Sequence, residues 1–304
     1  MLVRNIVQLS YGVPGILCYA LVFSAIISLR KSLSPSFILI FTIMTISNIA
    51  TWLNTWIYLK LNNEPFFQFY YEWLSEKPFW INAQNFLVSH FNYVQNIDTL
   101  LLTFDRYAAI ASITKDTQWW NRNYLHIVIL VHTVILGGHL AVRLPMANTL
   151  AFNPSTGTYR FGREESDNFR NALDANVRLA FGIVIFFACS IFNILSLRIL
   201  RQLKNTKSTS IQKSFFFISL CIFVTLSLNV FLSCLIALFN TLGKDYNSAL
   251  FATYEITYYF SDLFSIGPAI YTVLMPGLVR QFLVRKIKHV FGMKTYDTNH
   301  GPQL

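Results

Sequence analysis

Charge is scarce in this chain. Acidic and basic residues make up 12% of its 304 positions, against about 25% in an ordinary soluble domain, while 54% of positions are hydrophobic and the mean hydropathy is +0.45. That balance leaves too few charges to clothe a water-facing surface and reads as a membrane protein. Cysteine is scarce as well. The four present, Cys18, Cys189, Cys221 and Cys234, all fall inside apolar windows, so none is placed for a disulfide between external loops and each reads as a small buried hydrophobe. No N-x-[ST] acceptor occurs either, because Asn153 is followed by Pro154.

Further absences concern chemistry. There is no Gly-rich phosphate loop and no nucleophile elbow. His126, His132 and His139 come nearest to metal ligands, but steps of six and seven residues with no carboxylate nearby match no zinc motif. Interhelical hydrogen bonding is their plainer reading, and the chain is read as a non-enzyme without cofactor or metal. Residues 250–275 hold no lysine, which closes the option of a retinal pigment, whose Schiff base requires one. No basic module interleaved with aromatics is present to bind nucleic acid. No sequence repeat is visible, which weakens an inverted-repeat transporter.

Seven long apolar windows are present, at about 7–29, 36–60, 82–110, 124–147, 176–200, 214–240 and 250–275, and about 20 residues suffice to cross the hydrocarbon core. They predict an all-α fold, a seven-transmembrane helix bundle forming one domain over 1–304. The first window is expected to act as its own targeting signal and stay as an anchor, since no small-residue cleavage site follows it. Fifteen of the 24 lysines and arginines fall on the side shared with the C-terminus and nine on the other. By the positive-inside rule the N-terminus is external and the C-terminus cytoplasmic. The net charge of +10 then gathers at the cytoplasmic face and implies contact with an anionic inner leaflet. Residues 278–291 place Val279, Phe282, Leu283, Ile287, Val290 and Phe291 on one face, a short amphipathic cytoplasmic helix; residues 295–304 read as disordered.

The third window carries a polar stripe. Asn85, Ser89, Asn92, Asn96, Thr99, Thr103 and Arg106 follow steps of four and three, which puts them on one helix face. Small polar residues can glue buried helices together or line a ligand surface; Asn85, Ser89 and Asn92, nearer the external side, are read as ligand-facing. Arg106 differs in kind, because a charge at the bilayer edge is costly and its neighbour Asp105 can neutralise it in one state and release it in another. In the seventh window Glu255, Tyr258 and Asp262 share a face, and Pro268 lies three residues before Tyr271, a hinge beside a polar ring. Asp98 is expected to pair with a polar neighbour on the second or fourth span. The connection NEPFFQFYYEWLSEKPFW carries eight aromatics, readable as an interfacial belt or as ligand contact. The longer connection around Asn153, Pro154 and Gly157 reads as a lid over an external cavity.

These residues resemble a family, the seven-span G-protein-coupled receptors, and within it the nematode serpentine chemoreceptors of class gamma or a close relative such as class V. Asp105, Arg106 and Tyr107 look like the receptor latch ending the third helix, GPAIY at 267–271 resembles the proline–tyrosine motif of the seventh, and Asn48 stands where many rhodopsin-like receptors carry a sodium-binding aspartate. RNIVQLSYGVPGILCY and HFNYVQNIDTLLLTFDRYAAI carry the nematode likeness. The resemblance implies a plasma-membrane chemosensory receptor that binds a small external molecule and activates a heterotrimeric G protein. Asp105, Arg106, Tyr107, Pro268 and Tyr271 would form the activation latch, and Asn85, Ser89, Asn92, Glu255 and Tyr258 are the candidates for ligand contact. Two departures stand out: the external cysteine pair is missing, so the second external loop must be held differently, and the sixth span has no proline. At the position of the amine-binding aspartate stands Val88. The alternative reading is a seven-span transporter or ligand-gated channel using Asp98, Glu255 and Asp262.

Overall fold

A computed structural model of the chain describes residues 3–113, 118–143, 148–154, 157–163, 168–203, 207–242 and 246–290. Its helices are α1 (Val3–Ser28), α2 (Pro35–Thr55), α3 (Gln68–Ser75), α4 (Pro78–Ala111), α5 (Gln118–Arg143), α6 (Asn168–Gln202), α7 (Lys207–Leu242), α8 (Asn247–Leu274) and α9 (Leu278–Val290), with strands β1 (Asn148–Asn153) and β2 (Thr158–Arg163) between α5 and α6. The body is the expected all-α bundle. Among the described residues five helices are long and apolar enough to cross a membrane, six if α8 and α9, bent by 70° at their junction, count as one span. The 34-residue α4 is not among them, because the polar stripe lowers its hydropathy. Its place explains the tolerance: α4 contacts α2, α5, α6 and α7, so neighbouring helices shield its polar face from lipid.

Local sequence sets the ends and crossings. Ser34 caps α2 by accepting the Phe37 N–H at 3.3 Å, with Pro35 in the first turn, where its missing N–H costs nothing. At its far end α2 runs into a π turn over Trp56–Lys60, which carries the helical span on to Lys60. Gly12 and Gly15 let α1 approach its neighbours closely: a Cβ at Gly12 would lie 2.6 Å from the Trp52 ring and one at Gly15 2.9 Å from Ile266. The main apolar core joins Phe37, Ile40, Phe41 and Met44 of α2 with Leu101 and Leu102 of α4, Ile218 and Ile222 of α7 and Phe264 of α8.

The second long connection is where the purely helical expectation needs correction. It forms an antiparallel hairpin, Asn148 opposite Arg163 through Asn153 opposite Thr158, turned at Gly157, whose φ of +63° suits glycine. Leu150 of the hairpin joins Tyr71, Leu74 and Ile81 in a second apolar cluster, flanked by Tyr159 and Phe161. Tyr71 of α3 donates to the Ile57 carbonyl, and burial pushes its phenol well above the usual tyrosine range. Phe67 and Tyr70 pack against the same cluster, whereas Phe66, Phe69, Trp73, Phe79 and Trp80 are exposed, Phe66 at 79% and Phe79 at 72%. At the opposite end Val279 and Leu283 of α9 are buried while Ile287 is exposed. Phe291 and the tail 295–304 lie outside the described residues, as does the side chain of Val290.

Candidate functional site

Arg106 is the centre of the site. It sits near the end of α4, only 4% exposed, and its Nε donates to Asp105 Oδ2 at 3.1 Å, with Nη2 reaching the same oxygen. The guanidinium carbon lies 4.5 Å from the Phe37 ring centroid and 5.2 Å from that of Phe215. Those rings are themselves 4.9 Å apart, so α2 and α7 meet over the cation. Asp105 also accepts from Ser36 Oγ and from Trp120 Nε1, the latter at 2.9 Å. A carboxylate satisfied from three elements and a cation covered by two rings make a closed, fully paired contact. Tyr107 is half-buried, its ring 5.5 Å from that of Phe192 on α6. Tyr271 is half-buried on the apolar core that contains Phe215, and among the described residues no hydrogen bond or ring contact joins it to Arg106. Pro268 lies buried inside α8. The glycine before it has a reason: a Cβ at Gly267 would stand 3.0 Å from the Tyr271 ring.

Behind the Asp105–Arg106 pair, polar side chains tie α4 to its neighbours. Thr103 and Ser219 of α7 are 3.3 Å apart. Asn48 donates to Tyr19 Oη at 2.8 Å, Gln95 donates to Asn48 Oδ1 at 2.8 Å and to Ser265 Oγ at 3.0 Å, and Tyr19 donates to the Ser265 carbonyl at 2.6 Å. Asp98 is paired as its position implied, accepting from Ser47 of α2 at 2.8 Å and meeting His132 Nε2 of α5 at 3.1 Å. Because His132 Nδ1 faces the Val128 carbonyl at 2.8 Å, that nitrogen carries a proton, and the contact with Asp98 holds a second one between two groups.

At the hairpin end the ligand-facing candidates have partners. Asn85 donates to Asn148 of β1. Its own oxygen accepts from Arg143 Nη1 at 3.5 Å, and Ser89 Oγ accepts from Arg143 Nη2 at 2.6 Å. Arg143 also pairs with Asp174 of α6; all four side chains are buried. Asn148 in turn donates to Asn82 Oδ1 from its backbone at 3.0 Å and its side chain at 2.8 Å. Hydrogen bonds with Asn82 and Asn85 of α4 therefore hold the hairpin, and the described cysteines are all free. Asn92 is half-buried and accepts from Asn96. Glu255 and Tyr258 both meet Arg4 of α1, the former at 2.8 and 3.0 Å, the latter with its ring 4.8 Å away.

Sequence reasoning missed Lys60, Arg143, Asp174, Phe37, Phe215 and Trp120. Lys60 lies at the end of an apolar window, where a snorkelling lysine is the ordinary reading. Instead its Nζ contacts both oxygens of Asp262 at 2.8 Å, with side-chain exposures of 0% and 2%, and Tyr11 donates to Asp262 at 2.9 Å. Arg143 at a helix end and Asp174 beyond the hairpin carried no shared signal, since the fold alone brings them together. Among the described residues no group of three or more His, Cys, Asp or Glu side chains is placed to hold a metal ion.

A comparison with curated proteins finds no match. A family model described as Srg family chemoreceptor matches residues 5–283, which takes in nearly all of the long helices and the buried Asp105–Arg106 pair. The chain thus belongs to the Srg family of chemoreceptors, the class gamma group of nematode serpentine receptors, and is a multi-pass membrane protein.

Proposed function

We propose that this chain is a seven-span plasma-membrane receptor, N-terminus outside and C-terminus cytoplasmic, that binds a small external molecule and activates a heterotrimeric G protein. In this reading α4 is the third span and α8 the seventh, with α9 lying on an anionic cytoplasmic leaflet. The observation that carries it is the cage around Arg106: a cation held by Asp105 and covered by rings from α2 and α7. Moving α7 outward uncovers Arg106 and opens a basic crevice for the G protein, so the caged state is the inactive one. Tyr107, Pro268 and Tyr271 border the same end and set how far α7 and α8 can move. A ligand shifts this equilibrium only by binding the open state more tightly. It meets the hairpin end, where Asn92, Glu255 and Tyr258 are nearest to it and Asn85 and Ser89 act through Arg143.

The test is a cell-based G-protein readout screened with small volatile and secreted molecules. Agonist-driven activation is expected from the wild type and lost in Arg106→Ala at equal surface expression; a signal that persists in that variant removes the latch. An antibody tag on the N-terminus, detected on unpermeabilised cells, checks the orientation.

A further inference from the structure

The junction of α1, α2 and α8 contains buried polar groups that the protein leaves unmet. The Gln8 side chain is fully buried, its amide set against the Tyr11 hydroxyl and its oxygen without a donor among the described residues. The indole N–H groups of Trp52 and Trp56, at 6% and 5% exposure, also lack acceptors among the described residues. Leaving a buried donor unmet costs about 1–3 kcal/mol, more where lipid surrounds the bundle, so such a concentration of them calls for an occupant.

The register of α1 on α2 brings these groups together. Asn5 donates to the Lys60 carbonyl at 3.4 Å and to Glu64 at 2.6 Å, while Gly12 lies against Trp52. Gln8, midway between them on the same face, therefore stands at the level of Trp56, whose ring is 5.5 Å from Trp52 and 4.7 Å from Lys60 Nζ. The π turn over Trp56–Lys60 places Trp56 and Lys60 there, and such turns recur at functional sites. Toward the hairpin end the Arg4–Glu255 pair lies above, with Glu255 36% exposed.

We infer that this junction is the recognition site for a small uncharged molecule presenting a carbonyl oxygen. The inference rests on the receptor reading and supplies its ligand class. Charge decides the class: Lys60 and Asp262 already balance each other, so an ionic ligand would bring an uncompensated charge into a buried site. The unmet groups are two indole donors and the Gln8 amide oxygen. One carbonyl oxygen has lone pairs for two N–H donors, and Gln8 Oε1 serves a hydroxyl or N–H beside it. Small ketones, lactones and amides match these groups; amines and carboxylates do not.

The experiment uses the full chain in lipid nanodiscs, with empty nanodiscs as blank. Binding of γ-valerolactone, 2-pentanone and N-ethylacetamide is followed by saturation-transfer NMR and by the infrared carbonyl stretch; pentane, butyrate and butylamine are the controls. Saturable binding of a carbonyl probe is expected, with its stretch moved to lower wavenumber and the controls inert. Trp52→Phe and Trp56→Phe keep the rings and remove one N–H each, and each should weaken binding about fivefold or more. Gln8→Met provides the same test should an indole variant fail to fold. No saturable probe binding, which means water alone fills the junction, overturns the inference. Equal affinity in all variants, or preference for butyrate or butylamine, overturns it as well. The readout involves no G protein, so its failure leaves the receptor reading standing, and failure of G-protein activation leaves a measured binding intact.

Discussion

The guanidinium of Arg106 lies 5.2 Å from the ring of Phe215, across the seam between α4 and α7. This contact, with Phe37 on the other side, makes the position of α7 depend on a charge carried by α4. A desolvated cation–π contact is worth about 2 kcal/mol and an exposed one about 0.5–1. Separating α7 from Arg106 therefore costs an amount that a small ligand can supply by differential binding.

Trp120→Phe removes the N–H that Asp105 accepts at 2.9 Å while keeping the ring against Phe104. A weaker hold on Asp105 should raise agonist-free G-protein activation about tenfold to a hundredfold, matching the loss of one hydrogen bond to a charged group. Nucleotide exchange by the reconstituted receptor measures this.

Arg143 and Asp174 form a buried pair under the hairpin. Asp174→Ala leaves the cation without its carboxylate and should destabilise the fold by about 3–5 kcal/mol, seen as a lower Tm and reduced surface expression. Arg143→Met combined with Asp174→Leu removes both charges and should recover much of that loss.

Asn148→Ala deletes the side chain that donates to Asn82 and accepts from Asn85. The cost is about 1–3 kcal/mol, borne locally. Hydrogen exchange should accelerate in β1 and β2 while the amides of α2 and α4 stay protected; unchanged exchange in the hairpin would show that its apolar contacts alone hold it.

Asp262→Asn separates the receptor from the transporter or channel alternative. The carboxylate is already engaged by Lys60 and Tyr11, so its neutralisation should lower Tm, because a buried cation loses its partner. A carrier using Asp262 would in addition lose a measurable flux or current.

The sequence made α4's inner face legible, because a 3–4 spacing of polar residues in an apolar span has one geometric meaning. It also placed α9 and the pairing of Asp98 with α2 and α5. The partners were harder to read: Phe215 looks like any other residue of an apolar span, and only the approach of α7 to α4 makes it a lid on Arg106. Lys60 ends an apolar window within the π turn and carried no signal for Asp262, which only the fold brings to it. The hairpin was readable in principle from the alternation of Leu150 and Phe152, then Tyr159 and Phe161, around Gly157, but its turn residues dominated the local pattern.

The most direct measurement is agonist-free nucleotide exchange on a heterotrimeric G protein, with the receptor in nanodiscs, for the wild type, Phe215→Ala and Phe215→Ala/Arg106→Ala. Losing about 2 kcal/mol of buried ring–cation contact should raise the basal rate of Phe215→Ala roughly thirtyfold, and removing Arg106 as well should return it to background. A basal rate that does not rise in Phe215→Ala, or one that stays high in the double variant, contradicts the latch.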